Sequence, residues 1–355
     1  MPEISVILDN YNYANFLPQA ITSVLDQSFK DYELIIVDDG STDNSREIIE
    51  KFASQYSGII PVYKKNGGQT SAFNTGFSVA NGNIIALLDS DDFWYPNKLD
   101  SIAMAHKTHK IIQHYLSRNG NGIYRKIDSK VDWRNALTKY GYMYQHCPTS
   151  GLSFDRETIA PFFPLVDVED MRICADGCIL MLAMTRSPVF VLEDVLGYYR
   201  IHDNNLHAQR LDTGINSREV LQRQRDYVNK QLKFRGFTDI PFDNHAYLDY
   251  LLKECQKEEM LKDDDIIAIY GTESSGLFMT DCVNKLNINI WGYADSNPAK
   301  HGISFCGKMI YSPEELTGRK DEVTKIIIAS SAKEAIQNTL HTLGFTDDRI
   351  ISFPI

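Results

Sequence analysis

Residues Asn83–Asp92 have the sequence NIIALLDSDD, in which five apolar residues run directly into three carboxylates interrupted by one serine. A continuous apolar run of this kind predicts a strand buried on both faces of a sheet. In open α/β sheets, ligands bind outside the carboxyl ends of such strands. Three carboxylates this close repel one another, and a divalent cation that prefers oxygen ligands, Mg²⁺ or Mn²⁺, relieves the repulsion. The stretch therefore predicts a metal site at Asp89, Asp91 and Asp92, with capping of the next helix as the alternative.

Length, charge and cysteine usage exclude several classes of protein. At 355 residues the chain exceeds what one hydrophobic core usually supports, so two domains are expected. The net charge of −11 argues against nucleic acid or an acidic membrane as the main partner. The six cysteines include no CxxC pair, which disfavours a zinc site or a disulfide framework. The chain opens without a signal sequence and has no apolar stretch of membrane-spanning length. We therefore expect a cytoplasmic protein with at most peripheral membrane association.

The first part of the chain alternates predicted strands with predicted helices. Alternation of this kind predicts a mainly parallel open sheet flanked by helices, with right-handed crossovers. The predicted strands are Ile4–Leu8, Glu33–Val37, Ile59–Tyr63 and Asn83–Leu88, and the predicted helices between them are Asn15–Gln27, Thr42–Tyr56 and Thr70–Ala80.

Three segments follow from the change of pattern along the chain. Residues 113–215 lose the alternation and complete a first domain, 1–215. Residues 216–262 predict a helical connector, because their apolar and large polar side chains recur at helical spacing. Residues 263–355 restart the strand–helix alternation and predict a second, small Rossmann-like α/β domain. The predicted inner face of the connector comprises Val220, Gln224, Tyr227, Gln231 and Leu232.

Polar residues at the other strand ends suit a nucleotide. Asp38 ends the second strand, and its carboxylate can accept hydrogen bonds from a nucleobase or ribose, or cap the next helix instead. Asn10 and Tyr11 follow the first strand and can lay amides and an aromatic face beside a base. Gly68 precedes a helix, where small residues and exposed backbone amides suit a diphosphate. Successive strand ends with such groups predict a nucleotide site at one edge of the sheet.

Five ordered motifs resemble glycosyltransferases of family 2, which have the GT-A fold. The motifs are Val6–Asn12, Val37–Asp43, Asn74–Gly76, Ala80–Gly82 and Leu88–Asp92. The resemblance implies a nucleotide-sugar donor, a divalent metal and inversion at the anomeric carbon. By this resemblance Asp38 would hold the base, Asp89 the ribose or sugar, and Asp91 the metal that bridges the diphosphate. Asn74 and Ser90 would belong to the same donor site.

A later motif supplies a general base. Residues 173–177, ICADG, resemble the acidic motif of the family, which implies that Asp176 is the base. The acceptor hydroxyl must lose a proton as it attacks, and a carboxylate on the acceptor side is a sufficient base. Asp167, Glu169 and Asp170 are the alternatives in the same segment.

The stretch 199–205, YRIHDNN, resembles the arginine–histidine segment that closes the family's active site. It implies that Arg200 contacts the donor and that His202 completes the metal site or contacts phosphate, with a structural histidine as an equal alternative. The chain departs from the family at two positions. Asp9 stands where the family commonly has proline, and Phe73 stands where it commonly has arginine, which removes a cation from the neighbourhood of the donor.

The second domain has a partial dinucleotide signature. The stretch Gly271–Gly276 occupies a strand-to-helix turn, and Asp295 follows the next strand. Glu273 replaces the middle glycine, and its bulk and charge oppose the close approach of a pyrophosphate. The segments 295–300 and 311–316 are similar to small Rossmann-like domains attached to sugar-processing enzymes. We therefore expect a structural or interaction role for this domain.

Together these features predict an inverting glycosyltransferase that moves a sugar from a nucleotide-sugar donor, a UDP-sugar above others, to a hydroxyl of a saccharide or lipid-linked acceptor. Surface polysaccharide or glycoconjugate assembly is the expected setting. A metal-dependent phosphatase is an alternative, although such enzymes carry their Asp-x-Asp motif near the N-terminus. A non-catalytic sugar-nucleotide sensor is another. The oligomeric state stays open, a homo-oligomer included.

Overall fold

The structure is a computed structural model that describes residues 1–118, 122–124, 126–142, 146–202, 205, 217–330 and 332–353. Asp203 and Asn204 of the predicted closing segment lie outside the described residues. The chain divides into two compact units, residues 1–139 with 145–241 and residues 140–144 with 242–355. None of the described helices has the length and apolar character that a membrane crossing requires.

A nine-stranded sheet forms the centre of the first unit. Its strand order is β3-β2-β1-β4-β8-β6-β9-β5, with β7 paired to β6. The strands from β3 to β4 are parallel, and β8 inserts antiparallel between β4 and β6. The predicted open, mainly parallel α/β sheet is confirmed. Its strands are β1 (Ile4–Asn10), β2 (Tyr32–Asp38), β3 (Ile59–Tyr63), β4 (Ile84–Asp89), β5 (Phe93–Trp94), β6 (Ile111–Arg118), β7 (Gly122–Ile123), β8 (Leu152–Asp155) and β9 (Val189–Tyr198).

Helices cover both faces of this sheet. The core on one face joins alternate residues of β1, such as Val6 and Leu8, to Ile21 and Ile49 of two flanking helices. On the other face the helix α3 (Gln69–Val79) packs so closely that a Cβ on Gly76 would lie 2.5 Å from the side chain of Ile7. Each fully buried aliphatic side chain contributes roughly 1.5–3 kcal/mol. The helices are α1 (Leu17–Leu25), α2 (Ser45–Gln55), α3 (Gln69–Val79), α4 (Lys98–Ala105), α5 (Trp133–Tyr140), α6 (Arg156–Ile159), α7 (Ala175–Met184) and α8 (Ser217–Phe234).

The segment predicted as a connector contains two helices that lie in different units. Helix α8 belongs to the first unit, where its predicted inner face is buried at Gln224, Tyr227, Gln231 and Leu232. The Tyr227 hydroxyl donates to the carbonyl of Val166 at 2.8 Å, which fixes the helix to the same unit. The second helix, α9 (Asn244–Lys257), belongs to the second unit.

The second unit is built on its own six-stranded sheet, in the order β12-β13-β11-β10-β14-β15. Its core includes Tyr270, Ile326 and Leu340. The smaller C-terminal α/β unit is therefore as predicted. Its remaining elements are β10 (Ile266–Tyr270), α10 (Ser274–Lys285), β11 (Asn289–Ala294), β12 (Ser304–Phe305), β13 (Lys308–Tyr311), α11 (Pro313–Thr317), β14 (Lys325–Ile328), α12 (Lys333–Thr342) and β15 (Ile350–Ser352).

In the second unit, protein atoms lie close to Gly271 and bind the carboxylate of Asp295. Gly271 has φ +116°, and a Cβ there would lie 2.4 Å from the carbonyl oxygen of Ala329. Asp295 accepts hydrogen bonds from Thr272, from the amide of Asn297 at 2.9 Å and from Lys300 at 3.1 Å. Its carboxylate therefore binds neighbouring protein groups.

Candidate active site

The parallel register of the first sheet gathers the predicted site residues at the carboxyl ends of three strands. Asp9 of β1 pairs with Asp89 of β4, and Asn10 of β1 pairs with Asp38 of β2. A cavity of about 460 Å³ opens beyond these ends. Its lining includes the predicted residues Asn10, Tyr11, Gly68, Asp89, Ser90, Asp91 and Asp176.

Asp38 lies behind Asn10 and orients it. The Asn10 side-chain amide donates to Asp38 Oδ1 at 2.9 Å, and the backbone amide of Ser41 donates to Asp38 Oδ2 at 3.1 Å. Asp38 is only 4% exposed and is not part of the cavity wall. The Oδ1 atom of Asn10 is buried and has no hydrogen-bond partner among the described residues. Asn10, which does line the cavity, therefore keeps a free acceptor.

The structure corrects one expectation about the glycine turn before α3. The backbone amides of Gly67 and Gly68 donate to the carboxylate of Asp39, at 3.0 and 2.7 Å. The next amide, of Gln69, donates to the carbonyl of Arg172 at 2.7 Å. These three amides are thus occupied by the protein and are not exposed donors for a diphosphate. Gly68 lines the cavity with its amide engaged.

Asp9 and Asp89 lie side by side, half-buried, at the floor of the cavity. Burial raises the pKa of Asp9 to about 7, and the charges of Asp91 and Asp176 add to the shift. Burial also raises the pKa of Asp89, with the charge of Asp9 as the next cause. The Oδ1 atom of Asp9 has no hydrogen-bond partner among the described residues. Buried acids of this kind ionise together only when a cation compensates them.

Asp89, Asp91 and Asp92 each present a carboxylate oxygen, and these atoms lie within 4.8 Å of one another. Asp92 differs from the other two because both of its oxygens are engaged. It accepts from the Ser150 hydroxyl at 2.6 Å and from the Arg200 backbone amide at 2.9 Å. Asp92 thereby anchors the Arg200 segment, while Asp89 and Asp91 face the cavity.

His202 lies beside Asp91, although it is not part of the cavity wall. Its Nε2 is 3.1 Å from Asp91 Oδ2. Two neighbouring ligands of an octahedral Mg²⁺ or Mn²⁺ with bonds of ~2.1 Å are about 3 Å apart. The donor set of carboxylate oxygens and one imidazole nitrogen also suits these cations. The residues present therefore fit a divalent metal held by Asp91 and His202.

Arg200 does not line the cavity and instead supports the loop that carries Asp91. Its Nε donates to the backbone carbonyl of Asp91 at 2.7 Å, and its Nη2 donates to Gln19 at 2.6 Å. The guanidinium carbon lies 4.8 Å from the centre of the Phe16 ring, a cation–π distance. Arg200 thus holds the backbone of the acidic loop in place.

Asp176 lies in the first turn of α7 and reaches the same cavity. The residue before the helix, Cys174, adopts the left-handed conformation with φ +62°, which turns the chain sharply into the helix. The three alternative bases are absent from the cavity wall and form ion pairs elsewhere. Asp167 and Asp170 pair with Lys230, and Glu169 pairs with Arg172.

Asn74 lies outside the cavity wall. Its side-chain amide donates to the carbonyl of Leu165 at 2.8 Å, and its Oδ1 accepts from the amide of Leu165 at 2.7 Å. Both ends of the side chain are thereby used to attach the 165 segment to α3. Ser90, in contrast, lines the cavity, and its buried hydroxyl has no partner among the described residues.

Comparison with known proteins assigns both parts of the chain. Residues 5–162 match the family model Glycosyl transferase family 2, and residues 263–351 match the model C2185-like, N-terminal. An uncharacterised glycosyltransferase of Nostoc sp. is 41% identical over 251 residues, which cover 66% of this chain and 77% of that protein. The chain belongs to glycosyltransferase family 2. The resemblance found in the sequence motifs is therefore confirmed.

Other similar proteins span a range of coverage. The Escherichia coli enzyme UDP-Glc:alpha-D-GlcNAc-diphosphoundecaprenol beta-1,3-glucosyltransferase WfgD is 34% identical over 47% of this chain and 66% of its own length. For a glycosyltransferase of Rickettsia bellii the matched share of that protein is 29%. The crystal structure of S. aureus TarS with UDP-GlcNAc aligns with a TM-score of 0.51 at 16% identity, covering 81% of this chain and 80% of that one. This last likeness shows the fold.

Several residues line the cavity in addition to those that the sequence predicts. Asp39, within the motif Val37–Asp43, binds the glycine turn and Lys64, and Gln69, which directly follows Gly68, contacts Asp89. Tyr124 and Tyr199 line the cavity with ring centres 4.2 Å apart. Tyr124 directly follows β7, and no local sequence pattern signals that this residue reaches the cavity.

Proposed function

We propose that this family 2 enzyme transfers a sugar from a UDP-sugar to a hydroxyl group of a saccharide or lipid-linked acceptor, with inversion at the anomeric carbon. One observation carries the proposal. Asp176, on the helix α7, and the acids that end β1 and β4 line a single cavity large enough for a nucleotide sugar. A base and an acidic metal site are thereby within one chamber, as a single displacement requires.

The nucleoside end of the donor fits the wall around Asn10. The free Oδ1 of Asn10, fixed by Asp38, can accept the imide N–H of a uracil ring. Tyr11, 46% exposed, offers an aromatic face beside this acceptor. Asp89 would then hold hydroxyls of the ribose or sugar. In this arrangement Asp38 acts on the base through Asn10.

The diphosphate end of the donor fits the corner of Asp91 and His202. A divalent cation bound there, Mn²⁺ or Mg²⁺, would neutralise the charge of the departing nucleoside diphosphate. Asp91 and His202 would hold this cation, and Asn205 supports Asp91 by donating to its Oδ2 at 3.3 Å. Arg200 holds the backbone of Asp91 in place through its hydrogen bond to the Asp91 carbonyl.

The transfer step needs one proton acceptor. The oxygen of the acceptor hydroxyl forms a bond to the anomeric carbon while the bond between that carbon and the diphosphate oxygen breaks. The proton of the hydroxyl passes to the carboxylate of Asp176, and the bonding electrons leave with the nucleoside diphosphate. Attack from the face opposite the leaving group inverts the anomeric configuration.

The UDP donor and the lipid-linked acceptor are also supported by the name of the Escherichia coli relative, which contains UDP-Glc and a diphosphoundecaprenol acceptor.

A donor panel tests the proposal. Purified protein is incubated with UDP-, dTDP- and GDP-sugars, with Mn²⁺, Mg²⁺ or EDTA, and release of the nucleoside diphosphate is measured. We expect metal-dependent release of UDP. Saturable UDP-sugar binding without any turnover would favour the sensor instead. Release of inorganic phosphate from phosphomonoesters, without nucleoside diphosphate, would favour the phosphatase.

A further inference from the structure

Gln69, the first residue of α3, bridges the two halves of the active site. Its side chain is half-buried and lines the cavity. The Nε2 group donates to Asp89 Oδ1 at 3.2 Å and lies 3.5 Å from the hydroxyl of Thr149. At the other end of the same amide, Oε1 accepts the backbone N–H of Ala175 at 3.1 Å. One carboxamide thus joins the acid that ends β4 to the first residue of α7.

The chemistry of both partners fixes the orientation of this amide. A backbone N–H can only donate, so the atom facing Ala175 must be the oxygen. Since the oxygen faces Ala175, the nitrogen of the same amide faces Asp89 and donates to its Oδ1. Among side chains of this length, only a glutamine presents a donor and an acceptor side by side. A glutamate would satisfy Ala175 and repel Asp89, and a leucine would satisfy neither.

The turn that Gln69 holds is one that needs support. Cys174 is a non-glycine residue in the left-handed conformation, and the amide of Ala175 is one of the helix N–H groups that lack a partner within the helix. Gln224 of α8 holds the same turn from its other side, donating to the carbonyl of Cys174 at 3.0 Å. Asp176 follows directly, so the position of its carboxylate depends on this turn.

Gln69 and Gln224 differ in the other hydrogen bonds that their side chains make. Gln69 contacts the turn and Asp89, whereas the hydrogen bond of Gln224 is to the turn alone among the residues described. The backbone of Gln69 reinforces its link, because its amide donates to the carbonyl of Arg172 two residues before Cys174. Loss of the Gln224 side chain therefore removes support from the base Asp176 alone. Loss of the Gln69 side chain removes support from both Asp176 and the donor-binding acid Asp89.

We infer that Gln69 is a positioning residue that sets the base Asp176 against the donor-binding acid Asp89. This inference rests on the roles given to those two acids in the proposed function. It assigns Gln69 no contact with the reacting atoms. Its prediction is that donor binding and base geometry are coupled through one side chain.

The test compares three variants by steady-state kinetics with the active donor. Gln69→Glu keeps the acceptor for Ala175 but loses the donor to Asp89, so the donor KM should change by at least ~10-fold while kcat stays within ~3-fold of the parent. Gln69→Leu loses both contacts, so KM and kcat should both worsen by at least ~10-fold. Gln224→Leu, the matched control, should lower kcat and leave the donor KM within ~3-fold.

Thermal unfolding of each variant separates positioning from folding, since a purely structural role would lower Tm without the split between KM and kcat. If both Gln69 variants keep parental KM and kcat, or if Gln69→Glu and Gln224→Leu show the same kinetic pattern, the inference is overturned. Asp176→Asn is assayed alongside. If the parent turns over donor and Asp176→Asn does not, failure at Gln69 concerns this inference alone. If the parent turns over none of the donors, the proposed function fails and the inference falls with it.

Discussion

At the scale of single residues, strand register brings carboxylates close together and so changes their pKa values. Asp9 and Asp89 are direct neighbours on parallel strands, and burial raises the pKa of both. Asp91 is two residues beyond Asp89, so its charge adds to the same field. A bound cation offsets the repulsion between these carboxylates. The affinity for the metal therefore depends on their charge.

Asp91 is the acid whose removal should affect the metal most. In Asp91→Ala, a metal complex would lose a charged ligand and the diphosphate would lose its compensation, so affinity for UDP in the presence of Mn²⁺ should fall at least ~10-fold. Calorimetry with UDP, with and without Mn²⁺, measures the change. Asp194→Ala is the control, because it removes an equal charge at an exposed position outside the cavity wall. Unchanged affinity in Asp91→Ala would contradict the metal assignment.

His106 is a half-buried histidine that directly follows α4 and is not part of the cavity wall. Its Nδ1 donates to the carbonyl of His109 at 3.1 Å, so its Nε2 accepts from the hydroxyl of Ser153 at 2.9 Å. Burial lowers the pKa of His106 from 6.5 to about 4. The folded protein therefore holds this ring neutral where the unfolded chain would protonate it.

The pH dependence follows from that sign. The stabilising contribution of neutral His106 is fully present above pH 6.5 and is lost as the pH falls toward about 4. The loss is of the order of 3 kcal/mol, at 1.36 kcal/mol per pKa unit. In His106→Gln the decline in unfolding free energy over this range should be shallower, measured by urea unfolding at several pH values. His341→Gln, at an exposed site, should leave the slope unchanged. Equal slopes for the parent and His106→Gln would contradict the assignment.

Residues that belong to a local sequence pattern could be predicted from the sequence. Residues that reach the cavity only because strands distant in sequence pair with each other could not. Asp89 and Asp91 follow an apolar strand directly, and they are found at the sheet edge as predicted. Tyr124 reaches the cavity through strand pairing that no local signal reveals. Asn74 was placed in the donor site by family resemblance, yet its amide is bonded at both ends to Leu165.

At the scale of elements, the N-terminus of α3 connects the strand ends to the segment that precedes α7. Gly68 has φ +83° and ψ 173°, a conformation that is essentially restricted to glycine. A Cβ at this position would lie 2.6 Å from the carbonyl oxygen of Arg172. The close approach lets the amide of Gln69 bond to that carbonyl, which brings the segment before α7 against α3.

Gly68→Ala should therefore destabilise the first unit. The backbone conformation alone costs of the order of 1–3 kcal/mol for a residue with a Cβ, and the contact with Arg172 adds to it. Thermal unfolding should show a clear decrease in Tm, with weaker donor turnover because the turn before Asp176 shifts. Gly58→Ala is the matched control, since a Cβ there meets no atom within 4 Å. Equal Tm values for the two variants would contradict this account of the N-terminus of α3.

Elements with strong periodicity were predictable, and their assignment to a unit was not. Each of the four predicted strands is present within two residues of its predicted ends, because continuous apolar runs leave little choice. The buried face of α8 was also read correctly from its spacing. Which unit a helix joins depends on packing partners far away in sequence, such as Val166 for Tyr227, and helical periodicity carries no information about them.

At the scale of the whole molecule, each unit has its own sheet and core. All the residues that we assign to donor, metal and base lie in the first unit. Residues 140–142 belong to the second, where Tyr140 stacks on Tyr250 and Tyr142 stacks on Tyr247, with ring centres 4.8 and 4.5 Å apart. Helix α9 therefore covers aromatic surface contributed by the middle of the chain.

This arrangement predicts where the chain can be shortened. A chain that ends at Lys262 keeps α9 over Tyr140 and Tyr142, and it should remain folded and retain donor turnover. A chain that ends at Pro241 exposes these rings and should be less soluble and unfold at a lower temperature. Gel filtration, thermal unfolding and release of nucleoside diphosphate compare the two. A folded chain ending at Lys262 with no turnover would mean that the second unit completes the active site.

The central claim is that Asp176 and the acids at the ends of β1 and β4 form one active site in which Asp176 removes the acceptor proton. The most direct measurement compares donor affinity with transfer rate in Asp176→Asn, which keeps the shape of the side chain and removes its basicity. Calorimetry with donor and Mn²⁺ should give an affinity within ~3-fold of the parent, while the transfer rate should fall at least ~100-fold. Transfer at a near-normal rate in Asp176→Asn would contradict the claim.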